Sequence, residues 1–333
     1  MSRRYSAGVV ILSTALLATA AVADPVQLSS PALVRQAVSL PLRDIPASAV
    51  PRLRRVHDNL DDKAYSTAVE SVPATDPSVQ LSVGPLVATT PSVDFAGLGF
   101  QFPPFPSYQT SSAPPDPNGA VGAFQFVETV NVDYAIFNKA THELMADPAP
   151  ISNIWYQFGG ACESNNDTDP IVLYDKGANR WVISRLADAG SSHFECIAVS
   201  QTADATGRWN LYAWEIQSGA TGDYPKIAVW NDAYYATFRM ISNSGTFLGP
   251  RVCAFDRTAM LANGTPAAPV CCQLPTTYSY LLASDWDGTT PPPTGAPNYV
   301  MTLGPMHCCF GDFTPTSRRQ VVPSSRRPFP SLG

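Results

Sequence analysis

Asp169-Pro170-Ile171-Val172-Leu173-Tyr174-Asp175 decides the fold, because it is one of three copies of the same opening. Asp116-Pro117-Asn118-Gly119-Ala120-Val121-Gly122 lies one period before it, and Tyr224-Pro225-Lys226-Ile227-Ala228-Val229-Trp230 one period after, at a spacing of about 54 residues. After each proline comes a short apolar strand and then a second one, over Phe124 to Val132, Arg180 to Leu186 and Ala233 to Met240. A third strand closes each unit: Tyr134 to Asn138, Cys196 to Ser200 and Val252 to Asp256. Tyr234-Tyr235-Ala236-Thr237-Phe238 and Trp181-Val182-Ile183-Ser184 carry the aromatic and β-branched residues that favour a pleated, buried strand. Asp175 to Asn179 and Asn231-Asp232 supply the hairpin turns of the second and third units.

Short strands repeating near 50 residues are the pattern of a β-propeller blade, a small sheet that cannot bury both faces unless it stacks on its neighbours. The expectation is therefore an all-β, propeller-like fold of four-stranded antiparallel blades. Propellers typically close with about 4 to 8 blades, whereas here three clear units are followed by one further strand, Asn298 to Leu303. An incomplete propeller is expected. The prolines fit the first position of a strand, where no ladder donor is required. Asp116, Asp169 and Asp223 occupy or neighbour equivalent entries, so they are candidates to line a shared channel.

Outward from the repeats, the organisation changes at both ends. Arg3 and Arg4 precede an apolar run from Ala7 to Ala21, and Ala21-Val22-Ala23 puts small residues where a signal peptidase inspects them. Residues 1–23 are expected to be a cleaved signal peptide, with the mature chain beginning at Asp24 and secreted, periplasmic or on the cell surface. No later stretch reaches the roughly 20 apolar residues of a membrane helix. Residues 24–94, rich in Pro, Ser and Ala without sustained period, read as a linker or pro-region. Phe95 to Pro106 opens the folded domain, taken as 95–305. Residues 306–333 bring Cys308-Cys309, two Arg-Arg pairs and Ser/Pro-rich sequence, an irregular tail expected to be either disordered or out of frame.

A net charge of −6, with no basic stripe interleaved with aromatics, argues against nucleic acid as a partner. All seven cysteines lie after residue 160, and export makes disulfides credible. The preferred pairs are Cys162 with Cys196, and Cys253 with Cys271 or Cys272.

Candidate sites follow from residue type. Asn165, Asp167 and Asp169 alternate, offering hard oxygen ligands as calcium sites do, and Asp285 and Asp287 form a second acidic turn. Both also read as solvated turns. Trp209, Tyr212 and Trp214 present flat rings that stack on sugars, or equally one buried strand face. His193 with Glu195 is the only central acid and imidazole pair, and His193 reads as a lone surface histidine. No Gly-x-Ser-x-Gly elbow or His-Glu-x-x-His helix nominates a nucleophile or a zinc site.

Pro114 to Val300 resembles a family of uncharacterised secreted bacterial proteins with propeller-like repeats. The motifs are PPDPNGAVG at Pro114, NDTDPIVLYD at Asn166, CIAVSQTADATGRW at Cys196, DYPKIAVW at Asp223 and CAFDRTAML at Cys253. A more distant similarity to Asp-box, sialidase-like propellers runs through the Asp-Pro entry and through Ser200 to Trp209, with Asp204 and Gly207. The family resemblance implies export and blades and assigns no activity. Two functions are expected to compete: a module that binds a glycan or an extracellular protein through Asp116, Asp169, Asp223 and Trp209, or a sialidase-like glycan hydrolase using a channel acid. Calcium is the one cofactor the carboxylates suggest.

Overall fold

A computed structural model describes residues 27–47, 95, 97–99, 114–302, 309–310 and 322–323. The signal peptide expected at residues 1–23 lies outside the described residues. The fold is all-β and antiparallel. Its strands are β1 (Gln27–Ser29), β2 (Ala32–Val38), β3 (Asn118–Val121), β4 (Gln125–Val130), β5 (Asp133–Asn138), β6 (Leu144–Pro150), β7 (Thr168–Asp175), β8 (Arg180–Ala189) and β9 (Ser192–Ser200). They continue as β10 (Trp209–Ser218), β11 (Ala220–Val229), β12 (Ala233–Ser242), β13 (Phe247–Asp256), β14 (Val270–Gln273), β15 (Leu282–Ala283), β16 (Tyr299–Met301), β17 (Cys309–Phe310) and β18 (Val322–Pro323).

Four sheets result. Sheet one is β3-β4-β5-β6, sheet two β7-β8-β9-β10-β2, sheet three β11-β12-β13-β14-β1, and sheet four β15-β16-β17-β18. Each proline-led unit is one meandering sheet, and the expected second and third strands overlap β4, β8, β12 and β5, β9, β13. No sheet closes on itself among the described residues.

Strand periodicity explains why these segments read as continuous apolar runs. In a strand, successive side chains point to opposite faces. Trp181 and Ile183 of β8, with Cys196 and Ala198 of β9, enter a cluster shared with Val127, Tyr134 and Ile136 of sheet one. Their neighbours Val182, Ile197 and Val199 enter a second cluster, with Ile227, Val229, Tyr234 and Phe238 of sheet three. Ala228, Tyr235 and Val252 on the far face of sheet three pack on Leu281 and Val300 beside sheet four. Both faces of sheets two and three are thus covered, so polar alternation has no place in them. The first strands β3, β7, β11 and β15 lie beside one another in that order.

Polar links reinforce the stack. Asp175, fully buried, takes a two-pronged bond from Arg257 (2.7 and 2.8 Å) and accepts the Tyr234 hydroxyl at 2.9 Å, tying sheet two to sheet three. Gln125 of sheet one spans to Asp204 (2.8 Å) and the Ala205 amide (2.7 Å) in the loop after β9.

Two expectations need correction. The sheets are not uniformly four-stranded, and residues 24–94 are not wholly linker. β2 pairs along the outer edge of β10, Asn210 opposite Val38, and β1 pairs along β14, Gln27 opposite Gln273. The two residues between them carry the chain from sheet three to sheet two. The edges of β10 and β14 would otherwise present unpaired N–H and C=O groups. Past β2, buried Ser39 exchanges bonds with Trp209, and the turn Leu42–Asp44 docks on Thr206 and Gly207.

Among the described cysteines, four are joined in two disulfides. Cys162, in the short helix α1 (Ala161–Ser164), bonds Cys196 of β9, with Cα atoms 5.8 Å apart. Cys253 bonds Cys271 directly across the β13–β14 ladder, so the choice between Cys271 and Cys272 falls to Cys271. Cys272 faces the opposite way, buried against sheet four. No helix among the described residues is long and apolar enough to cross a membrane.

Candidate functional site

The three proline-led openings meet at one place. Asp116-Pro117-Asn118, Asp169-Pro170-Ile171 and Tyr224-Pro225-Lys226 line a single cavity of about 210 Å³, at the start of β3 and β7 and at the irregularity midway along β11. The residue before each proline has a positive φ: 37° at Asp116, 45° at Asp169 and 50° at Tyr224. A pre-proline residue is normally driven to extended backbone, and non-glycine residues seldom enter the left-handed region. The same disfavoured conformation at three equivalent positions is therefore maintained by its surroundings, as backbone strain at functional sites commonly is.

Asn131, in the turn between β4 and β5, holds two of the entries. Its Nδ2 donates to Asp116 Oδ2 (2.7 Å) and to the Pro114 carbonyl (3.1 Å), and its Oδ1 accepts the Asp169 amide at 3.1 Å. Asn118 Oδ1 accepts the Val172 amide at 2.8 Å, which locks β3 to β7. The Asp116 carboxylate and the Asp169 backbone are thus held by one side chain on adjoining walls.

The third wall differs. Where the first two repeats place aspartate, the third places Tyr224, and Lys226 stands where they have Asn118 and Ile171. Lys226 Nζ donates to the Pro225 carbonyl at 3.0 Å and lies 3.7 Å from the centre of the Tyr224 ring. Burial pulls its pKa below the ordinary lysine value, and the charges of Asp169, Asp116 and Asp223 oppose that pull. Asp223 is not in the lining; its carboxylate turns to Arg239 at 3.6 Å.

Behind the cavity, between sheets two and three, lies a buried polar seam. Glu195 is fully buried and accepts the Ser184 hydroxyl. Burial raises its pKa to about 7, against the opposing influences of His193, the Ser184 bond and Arg185, while the nearby charge of Asp169 adds to the rise. His193 is also fully buried, contrary to the surface placement expected of it. Its Nδ1 pairs with Asp188 Oδ1 at 3.0 Å, Asp188 Oδ2 accepts the Thr221 hydroxyl at 2.6 Å, and its ring meets Phe238 edge-on. A Cβ at Gly222 would come within 2.7 Å of His193 Nε2, so only glycine leaves room for the imidazole.

Other candidates are placed elsewhere. Trp209, a candidate binding residue, is fully buried, and its indole N–H donates to the Ala205 carbonyl at 2.9 Å. Tyr212 and Trp214 are buried as well, on the face toward sheet three. Asn165 donates to the Asp188 carbonyl, and Asp167 Oδ2 accepts the Asp188 amide at 2.8 Å, so both secure the end of β8 while Asp169 faces the cavity. Asp285 Oδ1 accepts the Val229 amide at 2.6 Å and links the loop after β15 to β11; its pKa is raised by burial. Asp287 meets Lys176 through its backbone carbonyl. Among the described residues, no three His, Cys, Asp or Glu side chains gather into a metal-holding group.

Comparison of the chain with protein-family models, curated proteins and solved structures found no match. The site therefore rests on its own geometry. Asp116 and Asp169 were readable as a shared lining from the repeat. Tyr224 was visible in the same alignment as the odd residue, whereas Asn131 carried no signal beyond being a turn residue.

Proposed function

We propose that this chain is a secreted, propeller-like binding module whose three-entry cavity holds the end of a glycan. The observation that carries the reading is the convergence of three equivalent, conformationally disfavoured pre-proline entries on one cavity. Asp116 and Asp169 accept hydrogen bonds from sugar hydroxyls, and the proline rings and Ile171 cover apolar sugar CH groups. At about 210 Å³ the cavity is smaller than the roughly 300 Å³ at which drug-sized pockets begin, which suits one ring rather than several. Acidic sugars suit it poorly, because no arginine lines it and two carboxylates do. Two disulfides support an oxidising destination, in keeping with a cleaved signal peptide and the resemblance to exported repeat proteins.

A hydrolase is the second reading, favoured by one observation: Asp116 and Asp169 share the cavity, as a pair of catalytic carboxylates would. One set of experiments separates the two. The mature protein from Asp24 is applied to a glycan array and to a panel of glycosides, beside an Asp169→Ala variant. Binding without turnover, lost in the variant, supports the module. Turnover that disappears in Asp169→Ala supports the hydrolase, and no binding or turnover on any glycan removes both.

A further inference from the structure

Of the two readings open to Trp209, Tyr212 and Trp214, sugar stacking or burial in a strand, the structure shows burial. Trp209, Tyr212 and Trp214 are buried in the sheet cores, whereas Tyr224, at the cavity, is 52% exposed. It lines the cavity from a left-handed backbone. The ring is also held in place. Lys226 Nζ sits 3.7 Å from its centre, and Tyr280 meets it edge-on at 5.3 Å and 70°. Tyr280 is steadied in turn by the Arg239 guanidinium, 5.8 Å from its ring centre, and Arg239 by Phe247 at 4.9 Å. A rigid aromatic that remains half open loses little conformational entropy when a ligand covers it.

We infer that Tyr224 is a second sugar position: the terminal ring of a neutral glycan sits in the cavity against Asp116 and Asp169, and the next ring of the chain stacks on Tyr224. This rests on the glycan reading above and adds chain length to it. The repeat itself shows that position 224 tolerates other residues, since its counterparts Asp116 and Asp169 hold the same backbone conformation before proline. Loss of the ring can therefore be tested without loss of the entry.

The test is calorimetric titration of the mature protein with neutral monosaccharides, glucose and xylose, and with their α- and β-linked oligomers of two to four units. Affinity is expected to rise from one ring to two and then level off. Tyr224→Asn, which also suits left-handed backbone, and Tyr224→Asp, the residue of the other two repeats, should each weaken the two-ring ligand roughly 3- to 10-fold and leave the single ring unchanged. Tyr224→Trp should keep two-ring binding, and Asp169→Asn should weaken both ligands. Equal loss for one and two rings, or no loss for either, in both Tyr224→Asn and Tyr224→Asp overturns the second position while leaving a one-ring module standing. Failure of every saccharide to bind the unaltered protein overturns the glycan reading and this inference with it.

Discussion

Glu195 holds a carboxyl group with no exposure to water, and burial raises its pKa from the ordinary 4.5 to about 7. Between those values the folded chain keeps a proton that the unfolded chain has lost. The contribution of Glu195 to stability is therefore complete below pH 4.5 and is lost as pH rises through 7. A shift of that size corresponds to roughly 3 kcal/mol. Glu128, Asp232 and Asp285, also raised by burial, act in the same direction. Thermal denaturation should give a midpoint that falls as pH rises from 4.5 to 7, and Glu195→Gln, which mimics the protonated acid, should flatten that fall. An unchanged slope in Glu195→Gln would show that the proton resides elsewhere. None of this was legible in the sequence. His193-Phe194-Glu195 looks like a polar strand end, and its burial arises because sheet three supplies Gly222 and Phe238 opposite it. For Trp209 and Trp214 the buried of the two readings holds for the same reason: both faces of their sheet are covered, so neither side of the alternation is open.

At the scale of elements, the N-terminal strap departs furthest from expectation. β2 alternates only weakly between exposed and half-buried positions, as an outer edge strand does, so its side chains give little sign of a sheet. Its partners lie some 170 residues away, and local pattern cannot announce such a pairing. The internal strands were legible because each repeat meanders locally. The strap's anchor is Ser39: its Oγ accepts the Trp209 amide at 2.9 Å, its own amide donates to the Trp209 carbonyl at 2.9 Å, and Arg208 donates to its carbonyl at 3.0 Å. Ser39→Ala would leave a buried backbone N–H without its acceptor. The expected cost is about 1–2 kcal/mol, measurable as a shift in urea midpoint at constant slope. An equal shift from Ser29→Ala, where β1 is exposed, would show that the effect is not the anchor's.

On the scale of the whole molecule, each of the four sheets among the described residues contacts mainly its neighbours, so stability should be distributed as in repeat proteins, sheet by sheet and interface by interface. The repeat marks out the units and led to the expectation of a shared lining by Asp116, Asp169 and Asp223. Asp223 stays out of the cavity, because which side chains line it depends on how the sheets pack face to face, and the spacing does not carry that. The interfaces are unequal. Sheets two and three bury both faces, share the Asp175, Arg257 and Tyr234 link, and carry one disulfide each. Among the described residues of sheet four, Val300 turns toward sheet three, while Leu282, Tyr299 and Met301 are about half exposed on the other side. Sheet one is intermediate, with Phe95 and Leu98 packed over its outer face. Amide hydrogen exchange should therefore be slowest in β8, β9, β12 and β13, faster in β4 and β5, and fastest in β15 and β16. Reduction of the disulfides should accelerate exchange in sheets two and three before it alters sheet four. Equal protection across all four sheets, changing together on reduction, would mean that the stack opens as one cooperative body and that the cavity between the first three sheets shares the stability of the whole.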